Sequence, residues 1–200
     1  MTVDEAKSII NAFYSAYPGL QKVDVYLRHS QEEIWPHAPT ESGKILGAYF
    51  PKKGFVAIAA TNADTEADLR RTLRHELLGH YGLNTLSRRE KRNLLNGILK
   101  AKHEPSLRDA WEKIDRAYPK APPYVKAEEL FCLIVDYGFD PYPIDSCLDS
   151  FNRICDMAIK APTLQDLQNI SHVISDGLAR NVREQVIFPR DDFGQFRLNT

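Results

Sequence analysis

Apolar residues divide the first part of the chain into short elements. Residues 3–17 carry apolar side chains at the three-to-four-residue spacing of a helix, which a Pro-Gly pair ends. Residues 22–29 alternate apolar and polar, the pattern of a strand with one face in water. Residues 45–50 and 55–60 are apolar runs joined by Pro-Lys-Lys-Gly, which predicts a hairpin. We therefore expect a small, mostly antiparallel sheet.

Helical patterns dominate the rest of the chain. Leu69, Leu73 and Leu77 repeat every four residues and predict a helix over about residues 65–80. Capping pairs and breaks predict further helices after residue 87, after residue 106 and over residues 124–137, 144–160 and 164–185. We interpret the chain as one α+β domain over residues 1–200, with the sheet and the first two long helices in about 1–83, further helices in about 86–185 and an irregular tail in 186–200.

Composition and charge narrow the expected partners. The chain has 26 Lys plus Arg against 27 Asp plus Glu, so no basic field is present to neutralise several phosphates, and no nucleic-acid partner is expected. No apolar run is long enough to span a membrane, and the N-terminus lacks the pattern of a signal peptide. Three cysteines argue against a disulfide framework. We expect a cytoplasmic protein without membrane contact, while export by a signal-free route and the oligomeric state stay open.

The motif His75-Glu76-Leu77-Leu78-Gly79-His80 is the main candidate for chemistry. Its histidines are five positions apart, and an ideal α-helix would point them about 140° from one another. A one-residue bulge would return both imidazoles to one side. Gly79 is the position at which the backbone deforms most easily, so the sequence predicts a distorted helix here.

Two imidazoles and a carboxylate around one open position are a ligand set typical of catalytic Zn²⁺. His75 and His80 supply the imidazoles, and Glu76 is the expected general base for a water at the open position. The Glu128-Glu129 pair is the best source of a third ligand, and we favour Glu129 over Glu128. Glu128 is either a hydrogen-bonding partner of a ligand or an ordinary solvated glutamate. No organic cofactor is expected.

The His-Glu-x-x-Gly-His motif and the Glu-Glu pair resemble those of dipeptidyl peptidase III, a zinc exopeptidase. Over about residues 45–138, with Tyr81-Gly82-Leu83 completing the motif, the chain is more similar to the zincin-like metallopeptidase modules of large polyvalent proteins from phages and conjugative plasmids. This resemblance implies a zincin-like metallopeptidase, a hydrolase of the HExxGH type that cleaves a peptide or protein substrate. In such a protease Glu76 would activate a zinc-bound water, and residues 55–60 would offer a strand edge to an extended substrate.

Two alternatives remain open at this stage. One is a catalytically inactive binding protein with the same fold, such as a mobile-element factor or effector, and the other is a zinc amidase acting on a non-peptide substrate. Solvated helix faces explain the two basic clusters that flank the motif, although either cluster could meet an acidic partner. The two clusters are Arg70, Arg71 and Arg74 before the motif, and Arg88, Arg89, Lys91 and Arg92 after it.

A hydrolase also needs a hydrogen-bond donor for the oxyanion. The candidates are Tyr81, Tyr124, Tyr137, Tyr142, His103 and His172. The sequence does not distinguish among them.

Overall fold

The computed structural model describes residues 1–36, 44–138, 143–158 and 160–186. Helix α1 spans Val3–Ala16 and begins at Thr2, whose side chain forms a reciprocal capping box with Glu5. Strand β1 spans Asp24–Arg28, and the short helix α2 spans Gln31–Ile34.

The sheet has three strands in the order β1-β3-β2, where β2 spans Gly47–Phe50 and β3 spans Phe55–Ala59. Strand β3 pairs antiparallel with β2, and the turn between them contains Gly54 at a φ of +68°, where glycine is favoured. Strand β3 pairs parallel with β1. The predicted α+β class is confirmed, but the sheet is mixed rather than mostly antiparallel. Because β3 is central, residues 55–60 offer no free edge, which corrects the expectation of a substrate edge there.

The helix that carries the motif changes its hydrogen-bonding pattern along its length. Helix α3 spans Glu66–Leu73 and starts at a capping box between Thr65 and Asp68. An eight-residue π-helix, Arg74–Tyr81, follows without a break, and α4 (Gly82–Asn84) ends the segment. The predicted distortion is therefore an extended π-helix rather than a single-residue bulge.

The remaining helices form the larger part of the structure. They are α5 (Arg88–Lys100), α6 (Arg108–Ala117), α7 (Pro123–Asp136), α8 (Ile144–Phe151), a second π-helix (Asn152–Asp156) and α9 (Leu164–Ala179). Helix α9 ends earlier than predicted.

One hydrophobic cluster connects the sheet to the helices. It includes Phe13 of α1, Leu77 of the first π-helix, Leu94 of α5, Phe131 of α7 and Ile174 of α9. Helix α7 packs directly against the first π-helix. No helix among the described residues has the length and apolar character needed to cross a bilayer. The division near residue 83 and the tail at 186–200 stay predictions, since residues 187–200 lie outside the described part.

Candidate metal centre

The first π-helix brings the two motif histidines to one side. Its hydrogen bonds join residues five apart, so residues at this separation lie approximately above one another. The rings of His75 and His80 have centroids 5.0 Å apart, and both side chains are buried. A separation of five residues would point the two imidazoles apart on an α-helix, but it places them on the same side of a π-helix.

Gly79 lies where the π-helix meets α7. A Cβ at this position would be 2.7 Å from Sγ and 3.2 Å from Cα of Cys132. The backbone of Gly79 has no positive φ, so the glycine is needed for space rather than for an unusual conformation. This corrects the reason inferred from sequence, and it explains how two helices approach closely enough to share a site.

Glu129 of α7 faces both imidazoles. Its Oε2 is 3.5 Å from His75 Nε2, and its Oε1 is 3.6 Å from His80 Nε2. Nitrogen and oxygen ligands about 2.0–2.2 Å from a tetrahedral zinc are about 3.3–3.6 Å apart. His75 Nε2 and Glu129 Oε1 are buried without a hydrogen-bond partner. The three side chains therefore surround a space of the size that a metal ion needs.

Each histidine is oriented through its other ring nitrogen. His75 Nδ1 is 3.1 Å from both carboxylate oxygens of Asp136, and His80 Nδ1 is 3.1 Å from Oε1 of Glu128. These contacts favour the tautomer that leaves Nε2 without a proton and directed at the shared space. Carboxylate–imidazole pairs of this kind commonly support metal ligands.

Basic residues contact the two residues whose carboxylates orient the histidines. Lys91 Nζ of α5 is 2.9 Å from Oε2 of Glu128. Burial raises the pKa of Glu128, but Lys91 and His80 outweigh this and keep the pKa at about 2. Arg74 donates two hydrogen bonds, of 3.0 and 2.7 Å, to the backbone carbonyl of Asp136. Burial lowers the pKa of His75, but Asp136 and Glu129 raise it well above its ordinary value.

Glu76 is fully buried beside the histidines. Its Oε2 accepts a 2.8 Å hydrogen bond from the backbone N–H of Tyr49 on β2, while its Oε1 has no hydrogen-bond partner. Burial raises the pKa of Glu76, and His80 and His75 oppose this shift. The carboxylate is thus fixed at one oxygen and available at the other.

Cys132 is a second candidate for the third ligand. Among the described residues, His75, His80 and Cys132 form a group whose ligand atoms lie within 4.8 Å of one another and could hold a metal ion. Burial raises the pKa of the Cys132 thiol, and Glu129 and other carboxylates raise it further. In that environment the thiolate form of Cys132 is disfavoured when no metal ion is bound.

Asp136, Lys91 and Tyr118 were not identified from the sequence. Asp136 is seven residues after Glu129, two turns along the same face of α7, and that spacing was an available signal. Lys91 was assigned only to a basic cluster. The hydroxyl of Tyr118 is hydrogen-bonded to Glu129, and burial together with Glu129 raises its pKa.

The other sequence candidates lie elsewhere. The hydroxyl of Tyr81 is 3.5 Å from the carbonyl of Gly19, and Tyr124 and Tyr137 are exposed. Tyr142 lies outside the described residues.

Comparison with known proteins gives one match. No protein-family model matches the chain, and no solved structure matches it. The chain is 32% identical over 207 residues to DNA primase TraC from Escherichia coli. It is similar to one segment of a DNA primase. The alignment covers 95% of this chain but only 14% of the relative.

This similarity overturns the functional reading of the sequence. The relative is a DNA primase, so the assignment as a zincin-like metallopeptidase, and with it the zinc-dependent hydrolysis of a peptide or protein substrate, is wrong. The inactive zincin-fold binding protein and the zinc amidase are set aside for the same reason. The expectation of no nucleic-acid partner, which relied on the total charge, is contradicted by the same similarity to a DNA primase.

Proposed function

We propose that this chain is a zinc-binding domain of a cytoplasmic protein that acts on DNA. The DNA context comes from the similarity to a segment of DNA primase TraC. The observation that carries zinc binding is the convergence of His75, His80 and Glu129 on one buried space, with 3.5 and 3.6 Å between the facing atoms.

The charge of the centre supports a cation. Glu76, Glu128, Glu129 and Asp136 are four buried carboxylates around two imidazoles. Burying a charge without compensation is costly. Lys91 compensates Glu128, and a divalent ion between Glu129 and the imidazoles would compensate two of the three remaining negative charges. Nitrogen and carboxylate ligands in a compact set favour zinc over Mg²⁺ or Ca²⁺, which prefer oxygen ligands.

In this proposal His75, His80 and Glu129 hold the ion, and Asp136 and Glu128 orient the two imidazoles. Zinc with three protein ligands supplies a Lewis acid toward an oxygen at its fourth position. Glu76 would offer one carboxylate oxygen as a proton acceptor beside the ion, because its Oε1 has no hydrogen-bond partner while its Oε2 is held by the backbone N–H of Tyr49.

The test is the metal content of protein purified without added metal. We expect one zinc per chain for the wild type and for His103→Ala, a control that removes an exposed histidine. His75→Ala and His80→Ala should lose stoichiometric zinc, because each removes a ligand. Glu76→Gln should keep it, because Glu76 is not a ligand. Elemental analysis and circular dichroism on the same samples separate loss of metal from loss of fold.

Zinc retained at wild-type stoichiometry by both histidine variants would contradict the site. A different metal in the wild type would contradict the choice of zinc. Loss of zinc in Glu76→Gln would make Glu76 a ligand rather than a proton acceptor.

A further inference from the structure

The two basic clusters that flank the motif differ in their neighbours. In the first cluster, Arg70 pairs with Glu66 at 2.7 Å and Arg71 with Asp68 at 3.2 Å, both within α3. Arg74 of that cluster is bound to the Asp136 carbonyl. The first cluster is therefore compensated by its own helix and by the metal centre.

In the second cluster Lys91 is paired with Glu128 and Arg89 lies 3.8 Å from Asp156, while the other two arginines begin an exposed row along α5. Arg88, Arg92 and Lys100 are exposed, and none of the three forms an ion pair within the part of the chain that the structure describes. With Asn96 they lie four residues apart along one ridge of the helix, about 6 Å per step and about 18 Å in all. We call these four residues the α5 ridge. A row of unpaired cations suits an extended anion better than a compact one.

An exposed aromatic ring lies beside the middle of the ridge. The hydroxyl of Tyr124, at the start of α7, donates a hydrogen bond to Oδ1 of Asn96. The side chain of Tyr124 is 48% exposed, so a face of the ring can receive another ring. Cations along a backbone track and an aromatic ring for an unpaired base are the combination that binds single-stranded nucleic acid.

We propose that the α5 ridge and Tyr124 bind single-stranded DNA, with Arg88, Arg92 and Lys100 on the phosphates and one base stacked on Tyr124. The choice of DNA rests on the proposed function. A single strand follows from Tyr124, because the bases of a duplex are already stacked and paired. Helix α5 also carries Lys91, which faces inward to Glu128, so the strand would lie on the outer side of the helix that supports the metal centre.

The test is fluorescence anisotropy with a labelled oligothymidylate of about 15 nucleotides, near the upper site size of a single-strand binding domain. The double variant Arg88→Ala/Arg92→Ala should bind at least about tenfold more weakly than the wild type. The matched control, Arg70→Ala/Arg71→Ala, removes the same charge from the compensated cluster and should bind like the wild type. Three phosphate contacts predict a slope of log affinity against log salt concentration of about −2. The ridge variant, which loses two of these contacts, should have a slope of only about −0.7.

Two variants test the ring. Tyr124→Ala should weaken binding about fivefold or more, the loss of one stacked base. Tyr124→Phe keeps the ring, loses the hydroxyl, and should bind like the wild type. Three results would overturn the proposal: equal losses of DNA affinity in the two double arginine variants, tighter binding to a duplex of the same length, or no binding at low salt. Zinc content on the same samples keeps the outcomes distinct, since a protein with zinc but no DNA binding contradicts only this inference.

Discussion

The two halves of the candidate metal centre hold their histidines by different means. On one side, Asp136 meets His75 with both oxygens, and Arg74 is bound to the Asp136 backbone rather than to its carboxylate. On the other, Glu128 divides its oxygens between His80 and Lys91. In the first half both carboxylate oxygens orient the imidazole, whereas in the second half one oxygen orients the imidazole and the other is paired with a lysine from a neighbouring helix. Variants can therefore separate the effect of orientation from the effect of charge compensation.

Glu129 is the group that the two halves share, so its removal should have the largest effect. Glu129→Ala should weaken zinc binding by more than the roughly 10- to 100-fold that is typical of a supporting residue, because it removes a ligand. Cys132→Ala should change the affinity by less than about tenfold. Competition with a chromophoric chelator measures both. If Cys132→Ala loses zinc while Glu129→Ala keeps it, the third ligand is the thiol.

The next largest effect should distinguish the two orienting carboxylates. Asp136→Asn and Glu128→Gln should each weaken zinc binding by about 10- to 100-fold. Asp136→Asn should lie nearer the upper value, because the amide nitrogen replaces one of two oxygens that both contact His75. In Glu128→Gln the remaining oxygen can still accept from His80. The same chelator competition gives the order, and a larger loss in Glu128→Gln would mean that charge compensation outweighs geometry.

The smallest effect should come from Lys91. Lys91→Met should weaken zinc binding only a few-fold, below the range for the carboxylate itself, and Lys91→Arg should restore it. Lys126→Met is a close control, since Lys126 is 2.8 Å from Asp115 and about as exposed as Lys91, but lies outside the centre. Equal zinc affinities in the Lys91→Met and Lys126→Met proteins would show that Glu128 orients His80 without help from its cation.

Local patterns predicted much of the fold. The capping pair at Ser87 and the apolar spacing of α1 depend on residues a few positions apart, and both elements are present. The parallel pairing of β1 with β3 depends on residues about 30 positions apart, and no local pattern encodes it. The central position of β3 was missed for that reason.

The candidate centre shows the same limit. The sequence motif and the Glu128-Glu129 pair predicted four side chains, His75, His80, Glu128 and Glu129, and the structure brings these together with Glu76. Zinc binding by this group stays a prediction. Asp136 and Lys91 support the centre across helix contacts that the sequence does not reveal. The basic clusters look alike in sequence, and only the structure shows that Arg70 and Arg71 are paired within their own helix while Arg88 and Arg92 form no ion pair among the described residues.

The contact between Gly79 and Cys132 has a consequence for the spacing of the proposed ligands. It sets the distance between the helix that carries the histidines and the helix that carries Glu129, and no further atom fits between them. The facing nitrogen and oxygen atoms of the proposed ligands are therefore held 3.5 and 3.6 Å apart, the spacing that metal–ligand bonds of about 2.0–2.2 Å require. Extra volume at residue 79 would act as a wedge between the two helices and would move Glu129 away from the imidazoles without altering a single ligand.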